Sequence, residues 1–304
     1  MSIIKEIPDE YMLFYAYRGS IARNMNTPES DIDYVGAFVA PINFYMGFDT
    51  KDTIQSNIAS NDLVVYEVRK LIKLFMGGNP NALEILWTEP KHFLHNTDIF
   101  NELIKNRQMF VSKKIYQTFS GYASGQMKRM VSCTRAVVEE FDELEDLLTS
   151  QNIDIKELNP KQSVRDLIVK GKKLDTYLQR YITIKKNHFA GNGRLGEKRK
   201  NLIKKYSFDV KNASVLVMLL KQSIEFLETG NLVVDRSNDK TELLAIKNGE
   251  LTLDEVKVKI DNLFDKAAAA VLVSSLPDDV DREKIETLCV KLISDFYGIK
   301  VPQV

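Results

Sequence analysis

The sequence predicts an α+β protein, in which a mixed β-sheet with helices is followed by a mostly α-helical region. The early part of the chain contains three short, apolar and β-rich runs, at residues 11–18, 32–39 and 62–66. Later segments repeat their apolar residues with a helical period instead. We therefore expect an N-terminal α/β domain over residues 1–110 and a helical domain over residues 111–304.

The three runs are bounded by residues that end strands. Residues 11–18 are rich in aromatic side chains and stop at Gly19, where a strand would enter a turn. Residues 32–39 stop before Pro41, which cannot continue a hydrogen-bonded ladder. Residues 62–66 are followed at once by a helical pattern, so the third strand is expected to lead directly into a helix.

Helical periodicity dominates from Glu67 onward. The first helix is expected to end at Gly77-Gly78, and the Asn79-Pro80-Asn81 sequence is typical of a capped start of the next helix. Further helices are expected at residues 81–87, 98–107, 111–129, 134–148, 162–184, 213–228, 253–270 and 281–297. Residues 187–205 are rich in glycine and basic residues, which predicts a loop followed by the start of a helix.

The composition indicates a globular protein and excludes several classes. Acidic and basic residues balance at 42 each, so no overall positive charge favours nucleic acid. No stretch approaches the roughly 20 apolar residues of a membrane span, and the N-terminus lacks an apolar signal segment. The two cysteines, Cys133 and Cys289, lie far apart in apolar helical patterns, which predicts buried free thiols in a reducing cytoplasm.

Residues 18–41 carry the pattern that points to chemistry. Gly19 and Ser20 are followed, after ten intervening residues, by Asp31 and Asp33. Strand alternation places the two aspartates on one face, where their carboxylates repel each other unless a cation lies between them. In a cleft, such a pair binds a divalent metal and positions a triphosphate. Gly19 has no Cβ and lets the backbone approach a phosphate closely, while Ser20 adds a hydroxyl donor.

The residues alone leave alternatives open. A β-hairpin with a solvated acidic turn has the same pattern, and Asp-x-Asp by itself occurs by chance in many chains. With only three histidines and two cysteines, any metal must be held by carboxylates, which predicts Mg²⁺ or Mn²⁺. Arg18 and Arg23, beside and within the loop, are expected to neutralise triphosphate charge unless they are ordinary exposed arginines.

The same segment resembles a known signature. Gly-Ser followed by Ser-Asp-Ile-Asp is similar to the polymerase-β-type nucleotidyltransferase signature. The fuller text, GSIARNMNTPESDIDYVGAFVAP, resembles one family, the predicted nucleotidyltransferases that are associated with RNA ligases and found in phages and bacteria. Later blocks at residues 61–87, 119–130 and 204–234 resemble that family too, so the likeness runs from Gly19 to about Gly249.

This resemblance implies a polymerase-β-like catalytic domain that takes a third carboxylate from a neighbouring strand. Asp62 and Glu67 are the two candidates, and strand geometry favours Asp62 because Glu67 lies where the strand becomes a helix. The resemblance also implies that the helical domain closes over the nucleotide. Lys211 would then contact a phosphate and Asn212 the base or sugar, unless the two residues only begin an exposed helix.

The reaction implied by the resemblance is transfer of a nucleoside monophosphate from an NTP, such as ATP, to an acceptor hydroxyl or phosphate, with release of pyrophosphate. Asp31, Asp33 and Asp62 would bind the metal, and Gly19 and Ser20 would hold the β- and γ-phosphates.

The acceptor and the cellular context are expectations of the same kind. An RNA end is the expected acceptor, because the resemblance is to proteins associated with RNA ligases. A protein hydroxyl or a small molecule is the alternative, and a non-catalytic nucleotide-binding scaffold is a third hypothesis. We expect a cytoplasmic protein without a membrane partner, in the host cytoplasm if a phage encodes it. The oligomeric state stays open.

Overall fold

The computed structural model describes most of the chain. The described residues are 8–28, 30–48, 53–58, 61–150, 172–189 and 196–300. The first part of the helix expected at residues 162–184, and part of the loop expected at residues 187–205, lie outside these ranges. Within them, no helix is long and apolar enough to cross a membrane.

Five strands form one mixed sheet. They are β1 (Met12–Arg18), β2 (Asp33–Phe38), β3 (Thr53–Ile58), β4 (Asn61–Glu67) and β5 (Phe93–Asn96), in the spatial order β3-β4-β2-β1-β5. β2 runs parallel to β4, while the pairs β1·β2, β1·β5 and β3·β4 are antiparallel. The α+β fold with a mixed sheet is thus confirmed.

The described helices alternate with the strands at first and dominate the chain after β5. They are α1 (Gly19–Ala22), α2 (Ile42–Met46), α3 (Val68–Met76), α4 (Pro80–Trp87), α5 (Asp98–Lys105), α6 (Lys114–Ser132), α7 (Arg135–Ser150), α8 (Lys172–Ile184), α9 (Glu197–Tyr206), α10 (Val210–Thr229), α11 (Lys240–Lys247), α12 (Leu253–Val273) and α13 (Arg282–Tyr297). Most of the expected helices are present, with ends that differ by a few residues.

Helix α4 starts as the sequence predicts. The Asn79 side chain accepts a hydrogen bond from the backbone N–H of Ala82, and Pro80 is the first helical residue. Both features suit a helix start, because the cap satisfies an otherwise unpaired N–H and proline needs none there. The chain therefore turns sharply after α3 and brings two helices against the sheet.

Two strands and three helices of the structure were not predicted from the sequence. β3 and β5 are the edge strands of the sheet, and their sequences, TIQSNI and FLHN, are short and largely polar. An edge strand needs little apolar surface, so the hydrophobic pattern that marks a central strand is weak there. The helices α1, α2 and α11 have only 4, 5 and 8 residues, too few for a clear period.

The chain divides into two compact units, which do not follow a single cut in the sequence. The first contains Met1–Tyr122, Met218–Leu244 and Ile260–Val304, and the second contains Ala123–Val217 and Ala245–Lys259. The whole of the expected α/β domain falls in the first unit, together with later helical segments. The boundary between residues 110 and 111 stays a prediction.

The sheet in the first unit packs an apolar cluster on one of its two faces. This cluster contains Met12, Tyr15, Phe38, Ala40, Ile54, Leu63 and Val65. Alternation along β2 puts Tyr34 and Phe38 on the cluster face and Asp33 on the opposite face. Asp33 therefore lies on the face opposite to this cluster, at the start of β2.

The second unit has its own core between α7, α8 and α9. Phe141 and Tyr181 stack in it with ring centroids 4.9 Å apart, and Val138, Leu148 and Ile203 are fully buried around them. A core of this kind gives the unit its own apolar stabilisation.

Both cysteines are free, as predicted. Cys133 is buried and Cys289 is half-buried. Burial raises the pKa of each thiol to about 11, so both stay protonated at neutral pH and act as small apolar side chains.

Candidate active site

The turn between β1 and α1 sets the geometry of the site. Gly19 has a φ of +63°, a left-handed conformation that glycine adopts without the strain of a Cβ atom. The preceding residue, Arg18, is the register partner of Asp33 in the antiparallel pair of β1 and β2. The Gly-Ser turn and the second aspartate of the motif therefore meet at the same end of two neighbouring strands.

The Asp33 carboxylate packs directly against Gly19. A Cβ atom built on Gly19 would lie 2.6 Å from Asp33 Oδ2, closer than any real Cβ contact. The space that a side chain would fill is thus occupied by the carboxylate. This contact requires glycine for two independent reasons, the backbone angle and the proximity of Asp33.

The remaining aspartate of the motif lies just before the strand. Asp31 is exposed, two residues ahead of the half-buried Asp33 at the start of β2. Carboxylate oxygens are the ligands that Mg²⁺ and Mn²⁺ prefer. Within the part of the chain that the structure describes, no three His, Cys, Asp or Glu side chains converge as a metal site.

That ligand set still suits a magnesium ion that arrives with its substrate. Mg²⁺ is usually bound by one or two carboxylates together with substrate phosphates and water, rather than by an all-protein cage. Asp31 and Asp33, at and just before the start of β2 beside the Gly-Ser turn, fit this mode of binding.

Asp62 lies on the same face of the sheet as Asp33. β2 and β4 run parallel with Tyr34 opposite Leu63, so extending the register by one residue brings Asp33 opposite Asp62. Partners in neighbouring strands point to the same face. The Asp62 side chain is exposed, and its expected role as the third carboxylate is compatible with this placement.

Glu67, the other candidate for the third carboxylate, lies far from Asp33 in the structure. It is the register partner of Phe38, at the far end of β2 and on the opposite face, about 16 Å along the strand from Asp33. Its carboxylate is buried, accepts the Tyr45 hydroxyl at 2.7 Å and caps α3 through the backbone N–H groups of Arg69 and Lys70. Glu67 is therefore a structural residue, because the strand carries it away from the aspartates.

Arg18 and Ser20 stay close to the aspartates. Arg18 lines a cavity on the face of the sheet that carries Asp33. Ser20 is half-buried in the first turn of α1, and its hydroxyl makes no hydrogen bond to another described residue. Both side chains are thus positioned to meet an anion at the turn.

Arg23 is engaged by a carboxylate of the protein itself. Its Nε and Nη2 donate to the two oxygens of Glu84, at 3.0 Å and 2.7 Å. The Gln222 side chain donates to the same carboxylate at 2.7 Å, and the Arg236 backbone N–H donates to the Arg23 carbonyl. The expectation that Arg23 neutralises a triphosphate is replaced by a structural role, because the paired guanidinium holds the loop after α1 against α4.

Lys211 and Asn212 belong to the second compact unit. They lie in the first turn of α10, one turn earlier than the helix expected from residue 213. Lys211 is exposed, whereas Asn212 is 8% exposed and its backbone N–H donates to Asp209 Oδ1 at 3.0 Å. Their contact with a nucleotide stays a prediction.

Two residues near the site were not among the predicted candidates. Tyr66 and Lys70 line the same cavity as Arg18. The signal for Tyr66 was present, because it lies four residues after Asp62 in a strand and so shares its face. Lys70 carried no such signal, since a lysine on the polar side of a helix is usually solvated.

The fold and the site together define a class. A mixed sheet that holds a Gly-Ser turn against an Asp-x-Asp strand makes this a polymerase-β-like protein of the nucleotidyltransferase type. Residues 3–204 match the family described as the RNA repair pathway DNA polymerase beta family, and the chain belongs to that family. The resemblance read from the sequence is thereby confirmed.

One relative comes from a phage. The chain is 28% identical over 125 residues to a protein of Enterobacteria phage T4, described as an uncharacterized 38.9 kDa protein in the nrdC-mobD intergenic region. The match covers 38% of this chain and 37% of the phage protein, so it spans little more than a third of that relative. It supports the link to phages and assigns no activity.

Substitution of Gly19 by alanine tests the turn geometry. We expect Gly19→Ala to lower the free energy of unfolding by about 1–2 kcal/mol, because a Cβ is strained at this φ and meets Asp33. Urea unfolding measures the effect. The matched control is Gly121→Ala in α6, where no described atom lies within 4 Å of the new Cβ. Equal unfolding midpoints for Gly19→Ala and the wild type would contradict the geometry.

Removal of the Glu84 carboxylate tests the role of Arg23. Glu84→Ala leaves a largely buried guanidinium unpaired, and we expect a loss of about 3 kcal/mol in the free energy of unfolding. The control is Glu89→Ala, whose partner Lys91 is exposed and whose loss should leave the unfolding midpoint unchanged. A small effect at Glu84 would mean that Arg23 is not held by this pair.

Proposed function

We propose that this protein is a metal-dependent nucleotidyltransferase that moves a nucleoside monophosphate from an NTP to an acceptor and releases pyrophosphate. The observation that carries the proposal is the close packing of the Asp33 carboxylate against Gly19, at the turn expected to hold the phosphates. Membership of the RNA repair pathway DNA polymerase beta family supports the same reaction type.

The nucleotide is held by the turn. Gly19 lets the backbone approach the β- and γ-phosphates, and the Ser20 hydroxyl donates a hydrogen bond to them. Arg18, opposite Asp33 in the sheet, adds a positive charge at the same end of the strands. These contacts orient the triphosphate without using Arg23, which Glu84 holds.

The carboxylates supply the metal site and the base. Asp31 and Asp33, with Asp62 on the neighbouring strand, would hold Mg²⁺ or Mn²⁺, and the bound ion would supply positive charge that stabilises the phosphates. The acceptor oxygen forms a bond to the α-phosphorus while the bond from that phosphorus to the bridging oxygen breaks. Pyrophosphate leaves with the electron pair, and Asp62 accepts the proton of the acceptor hydroxyl.

An RNA end is the acceptor that the comparisons favour, because the family takes its description from an RNA repair pathway. The balanced net charge gives no independent support for RNA. Transfer of α-³²P label to a protein hydroxyl or to a small molecule is therefore tested separately from transfer to RNA.

Label transfer tests the proposal. Purified protein is incubated with each α-³²P-labelled NTP and Mg²⁺ or Mn²⁺, with and without total RNA, beside the Asp31→Asn/Asp33→Asn variant. We expect label on RNA, and a loss of roughly 1,000-fold in the variant, since that factor corresponds to about 4 kcal/mol of transition-state stabilisation.

The labelled species identifies the acceptor. Label on protein would replace RNA by a protein hydroxyl, and label in a small soluble product would indicate a small-molecule acceptor. If the wild type binds no NTP in the presence of metal, the transferase proposal fails and a non-catalytic scaffold takes its place.

Substitution of two acidic residues on β4, Asp62 and Glu67, distinguishes an effect on catalysis from an effect on stability. Asp62→Asn should reduce the transfer rate by roughly 100-fold or more, because general-base catalysis contributes factors of that size. Glu67→Gln should lower the unfolding midpoint yet leave the transfer rate of the folded protein nearly unchanged, because Glu67 caps α3. An equal loss of rate in both variants would contradict the assignment of Asp62.

A further inference from the structure

A polar cavity lies on the face of the sheet that carries Asp33. Its volume is about 490 Å³, within the range of roughly 300–1,000 Å³ that small-ligand sites occupy. The sheet, α3 and the start of α4 form its walls, through the side chains of Arg18, Thr53, Tyr66, Lys70, Asn79 and Asn81. All of these residues belong to the first compact unit.

The charged side chains among the described lining residues of the cavity are all positive. Arg18 and Lys70 are cationic, and none of the described residues that line the cavity is acidic. Neither cation forms a salt bridge with another described residue, although α3 also carries Arg69, which pairs with Glu67. Two cations that form no salt bridge within the described part of the chain, around a polar cavity, favour an anionic ligand.

The remaining side chains add hydrogen bonds and aromatic surface. Burial raises the pKa of the Tyr66 hydroxyl, against the opposing effect of nearby Arg18, so this group stays a hydrogen-bond donor at neutral pH. The Asn81 amide donates to the Tyr122 hydroxyl at 3.4 Å. Tyr122 is 41% exposed and thereby presents an aromatic ring close to the cavity.

We propose that this cavity binds one nucleotide of the acceptor RNA strand, with its phosphate beside Lys70. The inference deepens the proposed function and rests on it, because only a transferase needs an acceptor. An exposed aromatic ring close to cationic side chains is typical of single-stranded nucleic-acid binding. In such sites bases stack on the ring and the cations neutralise phosphates.

The position of the cavity relates it to the reacting groups. Arg18 lines the cavity and is also the register partner of Asp33. Tyr66 and Asp62 share one strand face, about 13 Å apart along β4. An RNA strand anchored in the cavity and extended along β4 toward the aspartates would present its terminal hydroxyl there, as the group that forms the bond to the α-phosphorus.

The test compares two lysines on the same helix. A fluorescein-labelled single-stranded RNA 12-mer is titrated against wild-type, Lys70→Gln and Lys73→Gln proteins over a series of salt concentrations, with fluorescence anisotropy as the readout. Lys73 is exposed and lies outside the cavity. We expect Lys70→Gln to weaken RNA binding about tenfold and to reduce the slope of log K against log salt by about 0.7, with no change for Lys73→Gln.

A second variant excludes a folding artefact. Asn81→Asp introduces a negative charge into the cavity at the second residue of α4, where an acidic side chain favours the helix. We expect RNA binding to fall at an unchanged thermal midpoint. Equal effects of Lys70→Gln and Lys73→Gln, or no effect of Asn81→Asp, would overturn the proposal.

Two further arms separate this inference from the proposed function. Binding of ATP with Mg²⁺ should be unchanged in Lys70→Gln; a loss of ATP affinity would assign the cavity to the NTP and overturn the inference. The Asp31→Asn/Asp33→Asn variant should lose transfer yet bind the RNA. A phosphorylated peptide that displaces the RNA from the wild type but not from Lys70→Gln would overturn the choice of RNA as occupant.

Discussion

The contact between Gly19 and the Asp33 carboxylate is the constraint on which the site depends. It joins the end of β1 to the start of β2 through a backbone angle of +63° and an approach that no Cβ atom permits. Since the two strands are neighbours in the sheet, the turn and the aspartates need no further element to bring them together. The two candidates on β4 are placed by the register of the sheet, which puts Asp62 beside Asp33 and Glu67 at the far end and on the other face.

A network of buried charges holds this arrangement in place. Arg23, in the loop that leaves α1, is fixed by Glu84 on α4, and Gln222 on α10 completes the hydrogen bonds of that carboxylate. The pair is largely buried, so each partner is costly to remove. In the sequence Arg18 and Arg23 look alike, as arginines beside the Gly-Ser turn. In the structure Arg23 pairs with Glu84, whereas Arg18 forms no salt bridge with another described residue.

Local signals explain what the sequence could predict. The Gly-Ser turn, the Asp-x-Asp spacing and the three inner strands each depend on neighbours within a few residues, and all are present in the structure. The partner of Arg23 lies 61 residues away and the second partner of Glu84 lies 138 residues away, so no local pattern reveals them. The edge strands β3 and β5 were not predicted for a different reason, because half-solvated strands have only a weak apolar pattern. The division into compact units depends on returning helices and lay beyond local reasoning in the same way.

Binding of Mn²⁺ together with a non-hydrolysable NTP analogue tests the central claim most directly. Electron paramagnetic resonance counts the bound ions in the wild type and in Asp33→Asn, with and without the analogue. The proposed site predicts weak binding of Mn²⁺ alone, tight binding when the analogue supplies phosphate ligands, and loss of that gain in Asp33→Asn. Equal binding of Mn²⁺ and analogue to the wild type and the variant would contradict the assignment of Asp33 to the metal–nucleotide site.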